Sequence, residues 1–287
     1  MSPDAFKKFD LTGRTAVVTA GGTGMGYYMA RGLARSGARV LIAQRREDVV
    51  KAAAAKLSEE SGTTVLFDTV DLADRASIAS FNARALNKLG GGVDIFLGNA
   101  AQDMFEPVDK ITDKTLDQLF QINVSSIIEM MRAFVPGMRK KRWGRIMFSS
   151  STTSLAAAAQ EGMGSYTLTK GALNSFAQTA AVELGHDGIT VNSIVFGMYV
   201  TSMVAQHMAL LEKAHGKEVV KAFTDSFTSM TARGRLGRPD EVEGLIQLLA
   251  SDAGGYITGT NLCADGGMAI MLRPNPPPAD PVYPPPF

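Results

Sequence analysis

Short β-branched runs separated by longer helix-forming stretches recur from residue 14 to about residue 265, and this alternation leaves few architectures open. Segments 15–19, 39–43, 64–67, 93–97, 145–148 and 189–195 read as strands. Helical patterns lie between them, over 24–36, 48–60, 74–89, 112–139 and 166–184. The strand segments are apolar along their length, as strands buried on both faces are, and each link can hold a crossover helix. The pattern predicts an α/β fold: a single doubly wound domain with a parallel sheet and helices on both faces. Nothing in the composition divides residues 1–272 into two units.

Charge and cysteine content narrow the function classes. With 29 basic and 28 acidic residues the chain has no general electrostatic case for binding nucleic acid. The run 139–145 packs five basic residues into seven positions, but it falls at the end of a predicted helix, where cations complement the helix dipole. A single cysteine, Cys263, excludes a disulfide framework and a cysteine-based zinc site, and reads as a small buried residue in a late strand. His186, His207 and His215 have no ligand spacing, so no metal is expected. The uncharged stretch 188–211 holds too many polar residues for a membrane span, and the first residues lack an apolar leader. These features predict a cytoplasmic protein with no membrane and no nucleic-acid partner.

The first strand runs into Thr19-Ala-Gly-Gly-Thr-Gly-Met-Gly26, which opens a helix. Glycines at such a turn let the backbone approach a pyrophosphate, and the helix N-terminus offers free N–H groups to the anion. The second strand ends in Gln44-Arg45-Arg46, where an acidic residue would favour NAD. Two guanidiniums there suit a 2′-phosphate, so NADP(H) is expected over NAD(H).

Tyr166 and Lys170 lie at i and i+4 on a predicted helix, within mutual reach. A cation beside the phenol favours its ionised form, which makes Tyr166 a proton donor and acceptor. The strand 145–148 ends in Ser149-Ser-Ser-Thr-Thr-Ser154, at the edge where doubly wound sheets bind ligands. A hydroxyl there is able to hydrogen-bond a substrate carbonyl.

Together these motifs resemble the short-chain dehydrogenase/reductase family, in its single-domain branch and close to 3-oxoacyl-carrier-protein reductases. The matching features run from Thr15 to Gly267. The glycine turn matches the family pattern except at Ala20, which replaces the first glycine. Asp71-Leu72 matches the adenine-contacting site, and Gly98-Asn-Ala-Ala101 resembles the family's Asn-Asn-Ala-Gly with both outer residues changed. Phe196 replaces the proline of the loop at Gly197, and Arg235–Glu241, Thr258-Gly259 and Asp265–Gly267 resemble the C-terminal signatures.

The resemblance implies a Rossmann domain that exchanges a hydride between NADP(H) and a carbonyl or secondary alcohol, a small molecule. It implies a tetrad of Asn123, Ser151, Tyr166 and Lys170, in which Lys170 lowers the Tyr166 pKa and holds the nicotinamide ribose. Asn123 would support a water relay to Lys170. Ser151 lies 15 residues before Tyr166, slightly more than the usual gap, which leaves Thr153 and Ser154 as alternatives beside an insertion at 156–164. Cofactor contacts are implied at Gly21, Thr23, Met25, Arg45, Arg46, Asp71, Leu72, Asn99, Ala100, Tyr166, Lys170, Gly197, Tyr199 and Thr201. Carrier-protein reductases often carry an arginine where this chain has Val182, and a sugar-acid or polyol dehydrogenase is the main alternative. A non-catalytic nucleotide sensor is another class, disfavoured because the tyrosine and lysine are both present. Family members pair their helices into tetramers or dimers, so a homo-oligomer is expected. Met198, Met203, Met208, Phe223, Phe227 and Met230 read as the packing of a lid over the site, or else as an apolar pocket.

Eight of the 12 prolines lie between Pro274 and Pro286 and separate a tail, residues 273–287, from the domain. That composition favours extended polyproline geometry, with Val282, Tyr283 and Phe287 as its potential anchors.

Overall fold

The computed structural model describes residues 6–155 and 161–271. The proline-rich tail with Val282, Tyr283 and Phe287, and residues 156–160 of the expected insertion, lie outside the described residues.

Seven strands form one sheet: β1 (Thr15–Thr19), β2 (Arg39–Gln44), β3 (Leu66–Thr69), β4 (Ile95–Gly98), β5 (Gly144–Ser151), β6 (Ile189–Phe196) and β7 (Asn261–Ala264). Their order is β3-β2-β1-β4-β5-β6-β7, and every pairing is parallel. The helices are α1 (Gly24–Arg35), α2 (Glu47–Ser61), α3 (Arg75–Lys88), α4 (Asp113–Phe120), α5 (Ser126–Lys141), α6 (Gly164–Leu184), α7 (Ser202–His215), α8 (Lys217–Ser229) and α9 (Glu243–Ala250).

Strand side chains alternate between two cores. Val17, Phe96, Ile146 and Phe148 point to one face and pack with Phe81 of α3, Met130 and Phe134 of α5, and Leu173 of α6. Ala16, Val18, Ile95, Leu97 and Met147 point to the other, where Met29 and Leu33 of α1, Val50 and Leu57 of α2, and Ile246 and Leu249 of α9 cover them. Both faces being apolar is what makes the strand sequences read as unbroken hydrophobic runs.

Several local features differ from expectation. The helix expected over 112–139 is two, α4 and α5, joined by a π-turn at Gln121–Ser125. The fourth strand begins at Ile95 because Asp94, 1% exposed, turns its carboxylate to the sheet's lower edge. There it accepts Thr15 N at 3.0 Å and Lys141 Nζ at 2.6 Å. Cys263 is exposed: β7 is an edge strand whose Leu262 and Ala264 take the core-facing positions, which puts Cys263 on the other face.

The basic run after α5 is engaged within the chain. Arg139 and Arg142 pair with Asp187, Lys141 with Asp94, and Arg145 with Asp252. Trp143 lies between two guanidiniums, Arg14 at 3.7 Å and Arg145 at 4.3 Å from its ring centroid. Among the described residues, no helix is long and apolar enough to cross a membrane.

β1 leaves the sheet through Ala20, whose φ of +51° lies in the left-handed region that a Cβ disfavours. Ala20→Gly relieves that strain, and an increase in stability of about 1 kcal/mol, seen as a thermal midpoint about 2 °C higher, is expected by calorimetry.

Candidate active site

The site is built where the strand order reverses, between the upper ends of β1 and β4. The Thr19 hydroxyl accepts the backbone N–H groups of Asn99 at 3.0 Å and Ala100 at 3.1 Å, which ties the two strand ends together. Asn99 Nδ2 donates to the Thr19 carbonyl at 3.2 Å, and its Oδ1 accepts the Ser149 hydroxyl at 2.9 Å. One amide side chain thus joins β1, β4 and β5.

The glycine turn is pressed against these ends. A Cβ at Gly22 would lie 2.6 Å from Gln44 Oε1, and one at Gly26 would meet the Ala20 carbonyl and lie 2.6 Å from Asn99 Nδ2. A Cβ at Gly21 would stand 2.7 Å from Ile42 Cγ2, while Met25 is half-buried against the core. Thr23 precedes α1 without a side-chain capping bond, and the first turn holds no acid. The first N–H groups of α1 are therefore left to an anion, and the cradle fits a pyrophosphate.

Arg45 and Arg46 are exposed at the end of β2, and among the described residues neither has a side-chain hydrogen bond or ion pair. Asp71 accepts the Ala73 N–H at 3.0 Å, and Gln121 Nε2 donates to the Leu72 carbonyl at 3.3 Å. On the far side Gly197 lies against Asp265, where a Cβ would stand 2.9 Å from its Cα. Thr201 caps α7 by accepting Val204 N at 3.3 Å, and its methyl lies 3.9 Å from the Cβ position of Gly24. A groove of about 580 Å3 opens here between the glycine turn, α2 and the start of α7. Tyr199 turns away: its hydroxyl donates to Ala264 O at 2.8 Å and its ring packs on Gly237 and Phe196. Its side chain serves packing, leaving only its main chain to line the loop.

Lys170 is buried to 2% exposure on α6 and donates from Nζ to the Ser149 carbonyl at 2.6 Å. Its ammonium lies 5.5 Å from the centroid of the Tyr166 ring. Burial pulls the Lys170 pKa down to about 8. Tyr166 is pushed up to about 12, first by burial and then by the charge of Asp103, while a hydrogen bond from Ser151 pulls the other way. The lowering of the tyrosine pKa expected from Lys170 is thus not what is found, because burial and the charge of Asp103 outweigh what lowers it. Of the three hydroxyl candidates, Ser151 reaches Tyr166, whereas Ser154 donates to the Ser151 carbonyl at 2.6 Å and Thr153 donates to Ser151 Oγ at 3.0 Å.

Asn123 lies in the π-turn, wholly buried. Its Oδ1 accepts Gln102 N at 2.8 Å, and its Nδ2 donates to Gln102 O at 2.8 Å and to Thr169 Oγ1 at 3.0 Å. It pins the loop after β4 to α6, one residue before Lys170. A π-turn within a helix is a frequent mark of a functional position.

Several supporting residues escape the sequence motifs. Thr19 and Ser149 work through strand-end hydroxyls that look like any others. Asn174 bridges Ser154 and Ser193, and its only sequence signal is a place four residues after Lys170 on the same helix face. Of the expected lid residues, Met198, Met208, Phe223, Phe227 and Met230 are half-buried, with Phe223 and Phe227 rings 4.9 Å apart. The side chain of Met203 lies outside the description.

The family profile described as "Enoyl-(Acyl carrier protein) reductase" matches residues 19–269. The chain belongs to the short-chain dehydrogenase/reductase family. It is 31% identical over 260 residues to L-2,3-butanediol dehydrogenase of Corynebacterium glutamicum, covering 89% of this chain and 98% of that one. It is 32% identical over 265 residues to L-rhamnose 1-dehydrogenase (NADP(+)) of Thermoplasma acidophilum, covering 92% and 99%. Among solved structures it is similar to L-sorbose reductase from Gluconobacter frateurii complexed with NADPH and L-sorbose, with a TM-score of 0.86, 28% identity, and 92% and 100% coverage. Against the family pattern, two of the changed residues have local reasons. A Cβ at Gly98 would stand 3.0 Å from the Ile127 side chain, and Phe196 fills the α1–α2–α9 core.

The buried lysine has a pH signature. Its folded pKa of about 8 lies below the 10.5 of an ordinary lysine, so between these values the unfolded chain holds a proton that the folded one has lost. Stability from this group therefore rises with pH across that window. In denaturant unfolding at a series of pH values, the difference between wild type and Lys170→Met should move in favour of wild type from about pH 8 to about pH 10.5.

Proposed function

We propose that the protein is an NADP(H)-dependent oxidoreductase that interconverts a ketone and a secondary alcohol on a small, hydroxylated substrate. The observation that carries this is the convergence of Tyr166, Lys170 and Ser151 at the upper end of β5, beside the uncapped N-terminus of α1. When bound, the nicotinamide cofactor supplies the hydride to the carbonyl carbon, or receives it in the reverse direction. Tyr166, protonated at neutral pH, gives its proton to the carbonyl oxygen and takes it back in oxidation. Ser151 donates a hydrogen bond to the same oxygen and stabilises the charge that develops on it. Lys170 underlies the Tyr166 ring and meets the nicotinamide ribose, and Asn123 holds α6 and the β4 loop in register. Gly21, Thr23 and Met25 form the pyrophosphate turn, with Asn99, Ala100, Gly197, Thr201 and the Tyr199 main chain along the nicotinamide half. Asp71 and Leu72 flank the adenine.

The free guanidiniums of Arg45 and Arg46 support the 2′-phosphate preference, in line with the NADPH of the sorbose reductase complex and the NADP(+) of the rhamnose enzyme. The sugar and diol names among the relatives favour a polyol or sugar substrate, or a sugar acid, over a carrier-protein thioester, consistent with Val182 exposed on α6. A homo-oligomer paired through α5 and α6 is proposed on the family resemblance.

Purified protein assayed with NADPH or NADH against simple ketones, diketones, L-sorbose, sugar acids and 3-oxoacyl thioesters should turn over, with NADPH preferred. Tyr166→Phe should lower kcat at least about 100-fold while leaving NADPH binding within about twofold. Full turnover in that variant would remove Tyr166 from the chemistry, and no turnover by wild type would point to a nucleotide sensor. Arg45→Ala with Arg46→Ala should raise the KM for NADPH about tenfold or more and leave that for NADH nearly unchanged, as loss of charge-assisted bonds to a phosphate requires.

A further inference from the structure

A serine hydroxyl has one proton to donate and two lone pairs to accept with. At Ser151 both acceptor positions are taken by one neighbour: Thr153 N donates to Ser151 Oγ at 3.3 Å, and Thr153 Oγ1 donates to it at 3.0 Å. Both bonds form inside the single 3-10 turn Thr152–Ser154 that follows β5. The turn itself is anchored from outside. Thr167 Oγ1, beside Tyr166 on α6, donates to Thr153 O at 3.5 Å. Ser193 Oγ on β6 donates to Asn174 Oδ1 at 2.7 Å, Asn174 Nδ2 to Ser154 Oγ at 2.9 Å, and Ser154 Oγ to the Ser151 carbonyl at 2.6 Å. Every donation in that buried chain runs toward Ser151, so the main chain of Ser151 is held by one set of bonds and its hydroxyl by another.

We propose that Thr153 is a positioning residue that sets the direction of the Ser151 hydroxyl: by filling both of its acceptor positions it leaves Ser151 only a proton to offer, toward the Tyr166 oxygen and the substrate carbonyl. The inference rests on the oxidoreductase function proposed above. Two neighbouring hydroxyls cannot both donate to each other. Without the Thr153 side chain a lone pair of Ser151 becomes free, Tyr166 is able to donate into it, and the proton required by the carbonyl oxygen is held at Ser151 instead. Thr153 touches neither substrate nor cofactor in this role. It acts through Ser151.

The test compares Thr153→Val, close to threonine in shape but without the hydroxyl, with Thr153→Ser, which keeps it. Both are assayed with whichever ketone of the panel is turned over and with its alcohol, beside Tyr166→Phe. Thr153→Val should lower kcat about tenfold, a fraction of what loss of an oxyanion donor costs, with the KM for NADPH within about twofold. Thr153→Ser should recover at least about half of the wild-type kcat. In Thr153→Val the pH midpoint of alcohol oxidation should also rise, because the protonated phenol gains an acceptor in the freed lone pair of Ser151 that the ionised phenol cannot use. Should valine crowd the turn and impair folding, Thr153→Ala makes the same deletion without the bulk. Wild-type kcat in Thr153→Val, equal losses in the valine and serine variants, or a loss of kcat with an unmoved pH midpoint would each overturn the proposal. Unimpaired Tyr166→Phe, or no turnover by wild type, would instead overturn the function on which it stands.

Discussion

The upper edge of the sheet depends on one amide. Asn99 binds the Thr19 carbonyl with its nitrogen and the Ser149 hydroxyl with its oxygen, and so fixes three strand ends across the point where the strand order reverses. At such a point the crossover helices depart to opposite faces and leave a crevice that no helix fills. A crevice lined with loose strand ends would not hold a reacting geometry. Here the amide that clamps the strands also limits the glycine turn, since a side chain at Gly26 would collide with it. The glycine turn and the end of β5 that carries Ser149 and Ser151 are thus set by the same side chain.

Much of this was legible in the sequence, for physical reasons that differ from element to element. The strands declared themselves because both sheet faces are covered, and the glycine turn because close approach to Ile42, Gln44 and Asn99 tolerates no side chain. The mutual reach of Tyr166 and Lys170 followed from helical spacing. What escaped were features that depend on partners distant in the chain. The burial of Asp94 is stabilised by Lys141, 47 positions away, and the exposure of Cys263 follows from the place of β7 at the sheet's rim. The ring direction of Tyr199 is set by Gly237 and Ala264. The π-turn at Asn123 is likewise invisible to a helical pattern, since one extra residue per turn leaves hydrophobic periodicity almost intact over so short a stretch.

The two edges of the sheet use polar groups differently. At the lower edge, charges meet charges: Asp94 with Lys141, and Arg145 with Asp252, with Trp143 between Arg14 and Arg145. At the upper edge, apart from Lys170, the connections are neutral hydroxyls and amides: Thr19, Asn99, Ser149, Ser150, Ser154, Asn174 and Ser193. Neutral groups hold geometry through short directional bonds and add no fixed charge of their own to that edge.

Burial sets the resting protonation of the two groups that meet on α6. Lys170 is the exception among the clamps, and its burial costs it much of its preference for the protonated form. Its Nζ donates to the Ser149 carbonyl and so ties α6 to the β5 end, with the ammonium 5.5 Å from the centroid of the Tyr166 ring. With desolvation and Asp103 both disfavouring the phenolate, Tyr166 stays protonated across the neutral range, the form that carbonyl reduction consumes.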